Sequence, residues 1–209
     1  MELTNFQRVC KLGGNLLRRP SNLPRYLAHN VLHRRSPIEL GLPWFSYGAI
    51  DFLKGYLKRE MRVFEFGSGG STIFFARQCR RVDSVEDDPI WAARVRERTT
   101  QLGLANAFIA DRPFDFSDPV GFERSLYLKE VESAAYDVIV VDGADVDYTI
   151  RPRCFRAAEN QINAGGIIIV DDSWRYTQLR EANRSHRFEV FETVGPARYG
   201  VTSTDIYFY

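Results

Sequence analysis

The stretch Val63–Ala76, VFEFGSGGSTIFFA, runs from an apolar segment through three glycines and three small hydroxyl residues into a second apolar segment. It predicts a strand, a glycine-rich turn, and a helix that begins near Ser71 or Thr72. Glycine permits positive φ and close approach of a ligand, and the first helical turn offers free N–H groups to a polar or anionic group. Because burying an unpartnered carboxylate is costly, we expect Glu65, inside the first segment, to bind a cation.

Strands and helices alternate through most of the chain. The predicted strands are MRVFEF (61–66), RVDSVE (81–86), NAFIAD (106–111), YDVIVVDG (136–143) and GGIIIVDD (165–172). The predicted helices are STIFFARQC (71–79), DPIWAARVRERTTQLG (88–103), RPRCFRAAENQI (151–162) and SWRYTQLREAN (173–183). This alternation predicts right-handed crossovers and an open parallel sheet with helices on both faces.

The end of the chain breaks the alternation. Two strand-like segments, RFEVFETVG (187–195) and STDIYFY (203–209), are separated only by PARYGVT, which is too short for a crossover helix. Strands joined by so short a connection pair antiparallel. The predicted fold class is therefore α/β, a three-layer sandwich with an open, mostly parallel seven-stranded sheet that ends in a C-terminal antiparallel hairpin.

Composition narrows the classes of protein. A chain of 209 residues suits one domain, and a formal net charge of +1 argues against a nucleic-acid-binding surface over the whole domain. The three cysteines are widely spaced and frame no zinc site, which favours a reduced, cytoplasmic compartment. We expect no transmembrane segment and no signal peptide, because no apolar run approaches about 20 residues. The oligomeric state is left open.

Residues 1–40 differ from the rest in charge. This segment carries Arg8, Lys11, Arg18, Arg19, Arg25, Arg34 and Arg35 against only Glu2 and Glu39. Its apolar residues recur at near-helical spacing, interrupted by two prolines, which predicts two short amphipathic helices. We expect a basic helical N-terminal extension over residues 1–40 and the main domain over residues 41–209. The extension covers the domain, or contacts a membrane surface or an acidic partner peripherally.

Acids end the strands that follow the glycine turn. Glu86 ends the second strand about 20 residues beyond Gly67, the distance at which an acid accepts hydrogen bonds from ribose hydroxyls. Asp87 follows it, and Asp111 ends the third strand, where a nucleobase would lie next along the sheet edge. Together with Glu65, these positions indicate an elongated ligand with an amine, a ribose and a base, in the order found in S-adenosylmethionine.

The chain resembles the class I S-adenosylmethionine-dependent methyltransferases, whose first motif is acid-x-Gly-x-Gly-x-Gly. Here the motif reads Glu65-Phe66-Gly67-Ser68-Gly69-Gly70-Ser71, so that serine replaces the third glycine and one glycine is added. The resemblance spans residues 61–209, and LPWFSYGAIDFL (42–53) is similar to the helix before the first strand in some bacterial members. It implies S-adenosylmethionine as the cofactor, bound by Glu65, Gly67, Ser68, Gly69, Ser71, Glu86, Asp87, Asp111 and Asp142.

The resemblance also implies where catalysis would occur. Asp142, after the fourth strand, takes the place next to the transferred methyl group, and Asp171 and Asp172 follow the fifth strand. In the catechol-type O-methyltransferases, an acid after strand four joins an Asp-Asn pair after strand five to hold a divalent cation. Asp172 stands here where that family has Asn. Two alternatives stay open: a divalent metal, or the metal-free arrangement that we favour, in which Asp142 faces the cofactor and the other two cap the next helix.

Several other side chains are candidates for the acceptor site. The aromatic candidates are Trp44, Phe45, Tyr47, Trp174 and Tyr176, and the polar ones are Asp145, Asp147 and Tyr148. His186 is a candidate general base. The expected function is methyl transfer to a small-molecule or sugar acceptor, at oxygen. A non-catalytic S-adenosylmethionine-binding regulator or scaffold is the first alternative. A dinucleotide-dependent oxidoreductase is the second, although its fingerprint needs glycine in place of Thr72 and predicts no final hairpin.

Overall fold

A computed structural model describes residues 5–32, 35–118 and 120–209 of the chain, with side chains from Cys10 onward. The seven strands form one sheet in the order β3-β2-β1-β4-β5-β7-β6. They are β1 (Arg62–Phe66), β2 (Arg81–Glu86), β3 (Ala107–Asp111), β4 (Tyr136–Val141), β5 (Ile162–Asp171), β6 (Arg187–Val194) and β7 (Val201–Phe208). The first five strands pair in parallel, and β7 is antiparallel to both β5 and β6. The predicted fold class and the hairpin are confirmed.

Helices surround the sheet and precede it in the chain. They are α1 (Asn5–Arg18), α2 (Asn22–Tyr26), α3 (Pro37–Leu40), α4 (Tyr47–Tyr56), α5 (Gly70–Ala76), α6 (Pro89–Gln101), α7 (Leu126–Lys129) and α8 (Ile150–Ala158). A π-helical stretch, Leu27–Leu32, continues directly from α2. The start of α6 follows its sequence signals, since the Asp88 carboxylate accepts hydrogen bonds from two backbone N–H groups of the first turn. Within the described parts of the chain, no helix is long and apolar enough to span a membrane.

The central strands are buried on both faces of the sheet. Along β1, Phe64 and Phe66 pack into one apolar cluster and Val63 packs into the other. Glu65 points to the same face as Val63, because alternate residues of a strand share a face. The two clusters place the core on both sides of β1, β4 and β5, so the carboxyl ends of these strands form a fixed edge of the sheet.

The segment after β5 differs from the sequence prediction. In place of a helix over residues 173–183, two 3₁₀ turns occur at Ser173–Arg175 and Thr177–Arg180. The Ser173 hydroxyl and the Arg180 guanidinium both bind the carboxylate of Asp205, a fully buried residue of β7. Two short turns on either side of Tyr176 let both of these side chains reach the one carboxylate.

The helices of the N-terminal segment pack against the body of the protein through several contacts. Asn15 of α1 donates a hydrogen bond from its amide to the Glu192 carbonyl of β6, 3.3 Å away, and its side-chain oxygen accepts one from the Val194 backbone. The residues around α3 lie against the first turn of α5. A Cβ on Gly70 would lie 2.2 Å from the Leu42 carbonyl oxygen, so the added glycine of the motif allows this close contact.

Candidate functional site

The glycine turn follows β1 at the point where the strand order reverses, between β1 and β4. Crevices at such switch points are where open α/β sheets bind ligands. Gly67 has φ of +90°, and a Cβ there would lie 3.0 Å from the Asp142 carbonyl oxygen. The loops after β1 and β4 therefore meet closely at this position, and a side chain would force them apart.

Glu65 is buried beneath the turn, with only 1% of its surface exposed. The Ser84 hydroxyl donates a hydrogen bond to its Oε2 atom at 2.8 Å, whereas Oε1 is buried and has no hydrogen-bond partner among the described residues. Burial raises the pKa of Glu65 from 4.5 to about 7, although the nearby hydroxyls of Ser71, Thr72 and Ser84 offset part of the rise. A cationic donor from a ligand would satisfy Oε1 and favour the ionised form.

Glu86, at the end of β2, holds the glycine turn in place. Its Oε2 atom accepts hydrogen bonds from the Ser68 backbone N–H and hydroxyl, at 2.9 and 2.7 Å. Its Oε1 atom accepts one from the Asp87 N–H at 3.1 Å. With a longer bond from the Asp88 N–H to Oε1 at 3.4 Å, the carboxylate accepts four hydrogen bonds, so a ligand hydroxyl would replace the Ser68 hydroxyl or share an oxygen with it. The indole of Trp91 in α6 closes the other side of the turn, since Nε1 donates to the Ser68 carbonyl at 2.9 Å.

A cavity of about 1210 Å³ lies over this edge of the sheet, and a second one of about 520 Å³ adjoins it. The larger is lined by the predicted cofactor-binding residues Glu65, Gly67, Ser68, Ser71, Glu86, Asp87 and Asp142. Asp142 lines both cavities, as do Ser68, Ser71, Trp44 and Trp91, whereas Gly69 lines only the smaller. Asp142 thus lies at their junction.

Asp111 is the predicted cofactor residue that the structure does not place at either cavity. It ends β3 in register with Glu86, and its Oδ1 atom is buried without a hydrogen-bond partner among the described residues. Its proposed contact with a nucleobase stays a prediction. Asp87 lines the larger cavity beside Glu86, and burial raises the pKa of its carboxyl group.

Two arginines neutralise the three acids that were predicted to be catalytic. The Arg151 guanidinium lies 3.1 Å from the Asp142 carboxylate and also donates to the Gly143 and Asp171 carbonyls. The Arg198 guanidinium lies between Asp171 and Asp172 and binds both carboxylates. Sequence reasoning missed both arginines. Arg198 reaches its acids only through the pairing of β7 with β5, whereas Arg151 lies in the first turn of α8, close in sequence to Asp142.

Asp171 and Asp172 do not cap a helix, so that part of the prediction is wrong. The Thr204 hydroxyl of β7 donates to Asp171 at 2.8 Å, and the Thr202 hydroxyl donates to Asp172 at 2.9 Å. Asp172 lies at φ of +50° and makes no side-chain capping bond. Burial raises the pKa of Asp171 to about 8. For Asp172, burial acts to raise the pKa, but Arg198, the Thr202 hydroxyl and Arg175 together outweigh it and lower the pKa.

The acid cluster does not fit a divalent cation. Over the residues that the structure describes, no three His, Cys, Asp or Glu side chains are grouped so that they could hold a metal ion. In addition, the guanidinium of Arg198 occupies the position between the Asp171 and Asp172 carboxylates in which a metal ion would have to bind. Because a guanidinium already supplies charge and hydrogen bonds there, a metal would have to displace it.

The aromatic candidates for the acceptor site separate into a buried group and a group that lines the larger cavity. Phe45, Tyr47 and Tyr176 are buried in the core, whereas Trp44 and Trp174 are about half exposed and line the larger cavity. Tyr148 lines the same cavity, and the Arg175 guanidinium stacks on both Trp174 and Tyr148, at 4.8 and 5.5 Å from the ring centroids. Asp145 and Asp147 instead accept local backbone hydrogen bonds near the start of α8. His186 precedes β6 and lies at the opposite edge of the sheet.

Backbone strain is concentrated around this opening. Among the described residues, the non-glycine positions with positive φ are Tyr148, Asp172 and Ala197, at +64°, +50° and +52°. All three line one of the two cavities. They come from the loops after β4 and β5 and from the β6–β7 turn. Such residues cost on the order of 1–3 kcal/mol each and cluster at ligand sites, where the strain orients side chains.

Comparisons with known proteins match the fold. No protein-family model and no curated protein matches the sequence. Solved structures do match, including an O-methyltransferase from Bacillus cereus in complex with SAH, at 19% identity and a TM-score of 0.62, over 90% of this chain and 96% of that one. An rRNA methylase from Streptococcus thermophilus matches at 13% and 0.54, over 83% and 96%. A precorrin-6y C5,15-methyltransferase from Geobacter metallireducens matches at 12% and 0.54, over 76% and 86%.

Strand order, hairpin and structural neighbours agree. The chain has the fold of the class I S-adenosylmethionine-dependent methyltransferases, a Rossmann-like sheet closed by an antiparallel hairpin. The neighbours named above differ in acceptor, so the fold is shared by enzymes of several substrates.

Proposed function

We propose that the protein is an S-adenosylmethionine-dependent methyltransferase that acts on a small acceptor, at oxygen. The observation that carries the proposal is the buried carboxylate of Glu65, a residue that lines the larger cavity and whose Oε1 atom has no hydrogen-bond partner among the described residues. A carboxylate in this position fits the amino group of the cofactor. The fold and the SAH bound to the Bacillus cereus neighbour support the same assignment.

The residues present fit the rest of the cofactor. Glu86 would accept hydrogen bonds from ribose hydroxyls, and the turn at Gly67 and Ser68 would pass close to its chain. Asp87 and Trp91 would flank the adenosine. When bound, the cofactor supplies an electrophilic methyl group on a sulfonium. The protein must then mainly hold an acceptor oxygen in line with that group.

Asp142 is the residue that we place next to the acceptor. It lines both cavities, and Arg151 fixes the orientation of its carboxylate. Burial raises the pKa of Asp142, although Arg151 acts against the rise, which suits a group that accepts a proton from an acceptor hydroxyl. Asp171 and Asp172, expected to be catalytic, become positioning residues, since both bind Arg198.

The acceptor side of the larger cavity is aromatic and cationic. Trp44, Tyr148 and Trp174 offer ring surfaces, and Arg175 has no carboxylate within ion-pairing distance among the described residues. This surface suits a planar acceptor that carries an acidic group. A nucleic acid acceptor is less favoured, because the net charge of the chain is only +1.

The other parts of the proposal concern the whole chain. We assign residues 1–40 to a basic extension and residues 41–209 to the methyltransferase domain. Cys10, Cys79 and Cys154 are free thiols, which supports a reducing compartment such as the cytoplasm.

Transfer of a radiolabelled methyl group from S-adenosylmethionine tests the function. The acceptor panel should contain hydroxylated aromatic acids, matched neutral phenols, sugars and ribosomal RNA. We expect transfer to a phenolic acid and at least about a tenfold loss with Asp142→Asn. Bound S-adenosylmethionine with no transfer to any of these acceptors would favour the non-catalytic binding role, and transfer only to RNA would overturn the small acceptor.

A further inference from the structure

The helical segment of residues 22–32 turns polar residues toward the body of the protein and aliphatic residues toward solvent. The side facing the body of the protein carries Asn22, Tyr26 and Asn30, which are 2–5% exposed. The opposite side carries Leu23, Leu27 and Val31, which are 40–49% exposed. A helix that only covers a water-soluble domain turns its apolar face inward and its polar face outward. This segment does the reverse.

Hydrogen bonds fix the inward side, together with the ring of Tyr26, which belongs to one of the two apolar clusters. The Asn30 amide donates to the Gly195 carbonyl at 3.2 Å, and its side-chain oxygen accepts a hydrogen bond from the Arg198 backbone N–H. The Tyr26 hydroxyl donates to the Tyr199 carbonyl at 3.2 Å. Rotating the segment to bury its leucines would break these bonds and leave buried polar groups unpaired. The apolar side is therefore held outward by the fold.

The exposed surface extends beyond one helical turn. Leu17, near the end of α1, is 84% exposed, and Leu32, at the end of the π-helical stretch, is 72% exposed. We call Leu17, Leu23, Leu27, Val31 and Leu32 together the aliphatic face. Single exposed leucines are ordinary, but a set of aliphatic residues carried by the end of α1 and by the helical segment that follows it indicates a surface that is covered in use.

The charge of this segment identifies what covers it. Between residues 3 and 38 the sequence has seven Arg and Lys residues and no Asp or Glu. Arg18 and Arg19 are exposed and have no carboxylate within ion-pairing distance among the described residues. A second copy of the chain docked through the same surface would bring two such cationic segments together, which is unfavourable. A nucleic acid would satisfy the arginines but leave the aliphatic face in water.

We propose that residues 17–32 form a docking surface for an anionic lipid bilayer. The aliphatic face enters the region between headgroups and acyl chains, and Arg18 and Arg19 bind lipid phosphates or carboxylates. Asn30 connects this surface to the β6–β7 turn that carries Arg198, so docking places the opening of the smaller cavity near the membrane surface. The proposal does not depend on the reaction that the protein catalyses.

Vesicle flotation with the full-length chain tests this. Vesicles of phosphatidylcholine with about one-third phosphatidylserine are compared with pure phosphatidylcholine. We expect binding to the anionic vesicles that weakens at high salt, with a Leu27→Ser/Val31→Ser variant bound at least about tenfold more weakly. An Arg18→Gln/Arg19→Gln variant should also lose about tenfold. The matched control is Leu126→Ser, a 69% exposed leucine elsewhere, which should bind like the wild type.

The same variants distinguish a lipid bilayer from a second copy of the chain or a nucleic acid as the partner of this surface. Because the substituted side chains are exposed, thermal unfolding should be unchanged, which separates lost docking from lost folding. Three results would overturn the proposal: no binding of the folded wild type to anionic vesicles, equal loss with Leu126→Ser, or a dimer in sedimentation that Leu27→Ser/Val31→Ser converts to a monomer. RNA binding without vesicle binding, abolished by the arginine substitutions, would identify the surface as a nucleic-acid site instead.

Discussion

Replacing Glu65 by Gln in the ligand-free protein should raise its stability at pH 8 and leave it nearly unchanged at pH 4. The pKa of Glu65 is about 7 in the folded protein, against an ordinary value of 4.5. The folded state therefore binds more protons than the unfolded state between these values, and stability falls as the pH rises from 4.5 through 7. At 1.36 kcal/mol per pKa unit, the ionised carboxylate costs about 3 kcal/mol above pH 7.

Urea unfolding of the wild type and of Glu65→Gln at pH 4, 6 and 8 measures this difference. We expect the variant to gain up to about 3 kcal/mol at pH 8, because glutamine carries no charge to desolvate, and little at pH 4. Glu60→Gln, at an exposed position, serves as the control and should show no such pH-dependent gain. A gain that is equal at all three pH values, or a loss at pH 8, would refute the account of an unpaired buried carboxylate at this site.

Further predictions concern packing, charge and the cofactor. Arg198→Met should lower the free energy of unfolding by about 3–5 kcal/mol, because it leaves the buried Asp171 and the partly buried Asp172 without their cation. A chelator should leave the wild-type melting temperature unchanged, since a guanidinium holds that position. Gly70→Ala should lower the free energy of unfolding by about 2 kcal/mol or more, because the added Cβ would lie 2.2 Å from the Leu42 carbonyl oxygen. Gly55→Ala is the matched control in a helix: no atom lies within 4 Å of the added Cβ, so the free energy of unfolding should rise by up to about 1 kcal/mol. Glu86→Ala should weaken SAH binding by about 1.5–3 kcal/mol in a calorimetric titration.

Local signals were enough to predict the sheet. The apolar runs of β1, β4 and β5 and the short final connection each specify one kind of pairing, so the alternation and the hairpin follow from the sequence. The helix expected over residues 173–183 does not form, because its side chains bind Asp205, a residue of the last strand. The sequence near residues 173–183 gives no indication of a partner such as Asp205, which lies in the last strand.

In the candidate site, too, local patterns were predictable from the sequence and contacts between distant residues were not. Glu65 and Glu86 could be found because an acid beside a glycine turn, or at the end of a strand, is a local pattern. Arg198 could not, since it reaches Asp171 only after β7 pairs antiparallel with β5. From the sequence alone, the acids after β5 are therefore interpreted as metal ligands or helix caps. In the structure they bind an arginine, which the pairing of distant strands brings next to them.

Titration calorimetry with S-adenosylmethionine, SAH and NAD⁺ tests the central claim most directly. The account predicts one site per chain for the first two ligands and no heat with NAD⁺. It also predicts that Glu65→Gln weakens S-adenosylmethionine binding at pH 7, because a neutral amide replaces the carboxylate that would pair with the amine. A folded sample that gives no heat with S-adenosylmethionine or SAH at high concentration, or gives heat with NAD⁺ alone, would contradict it.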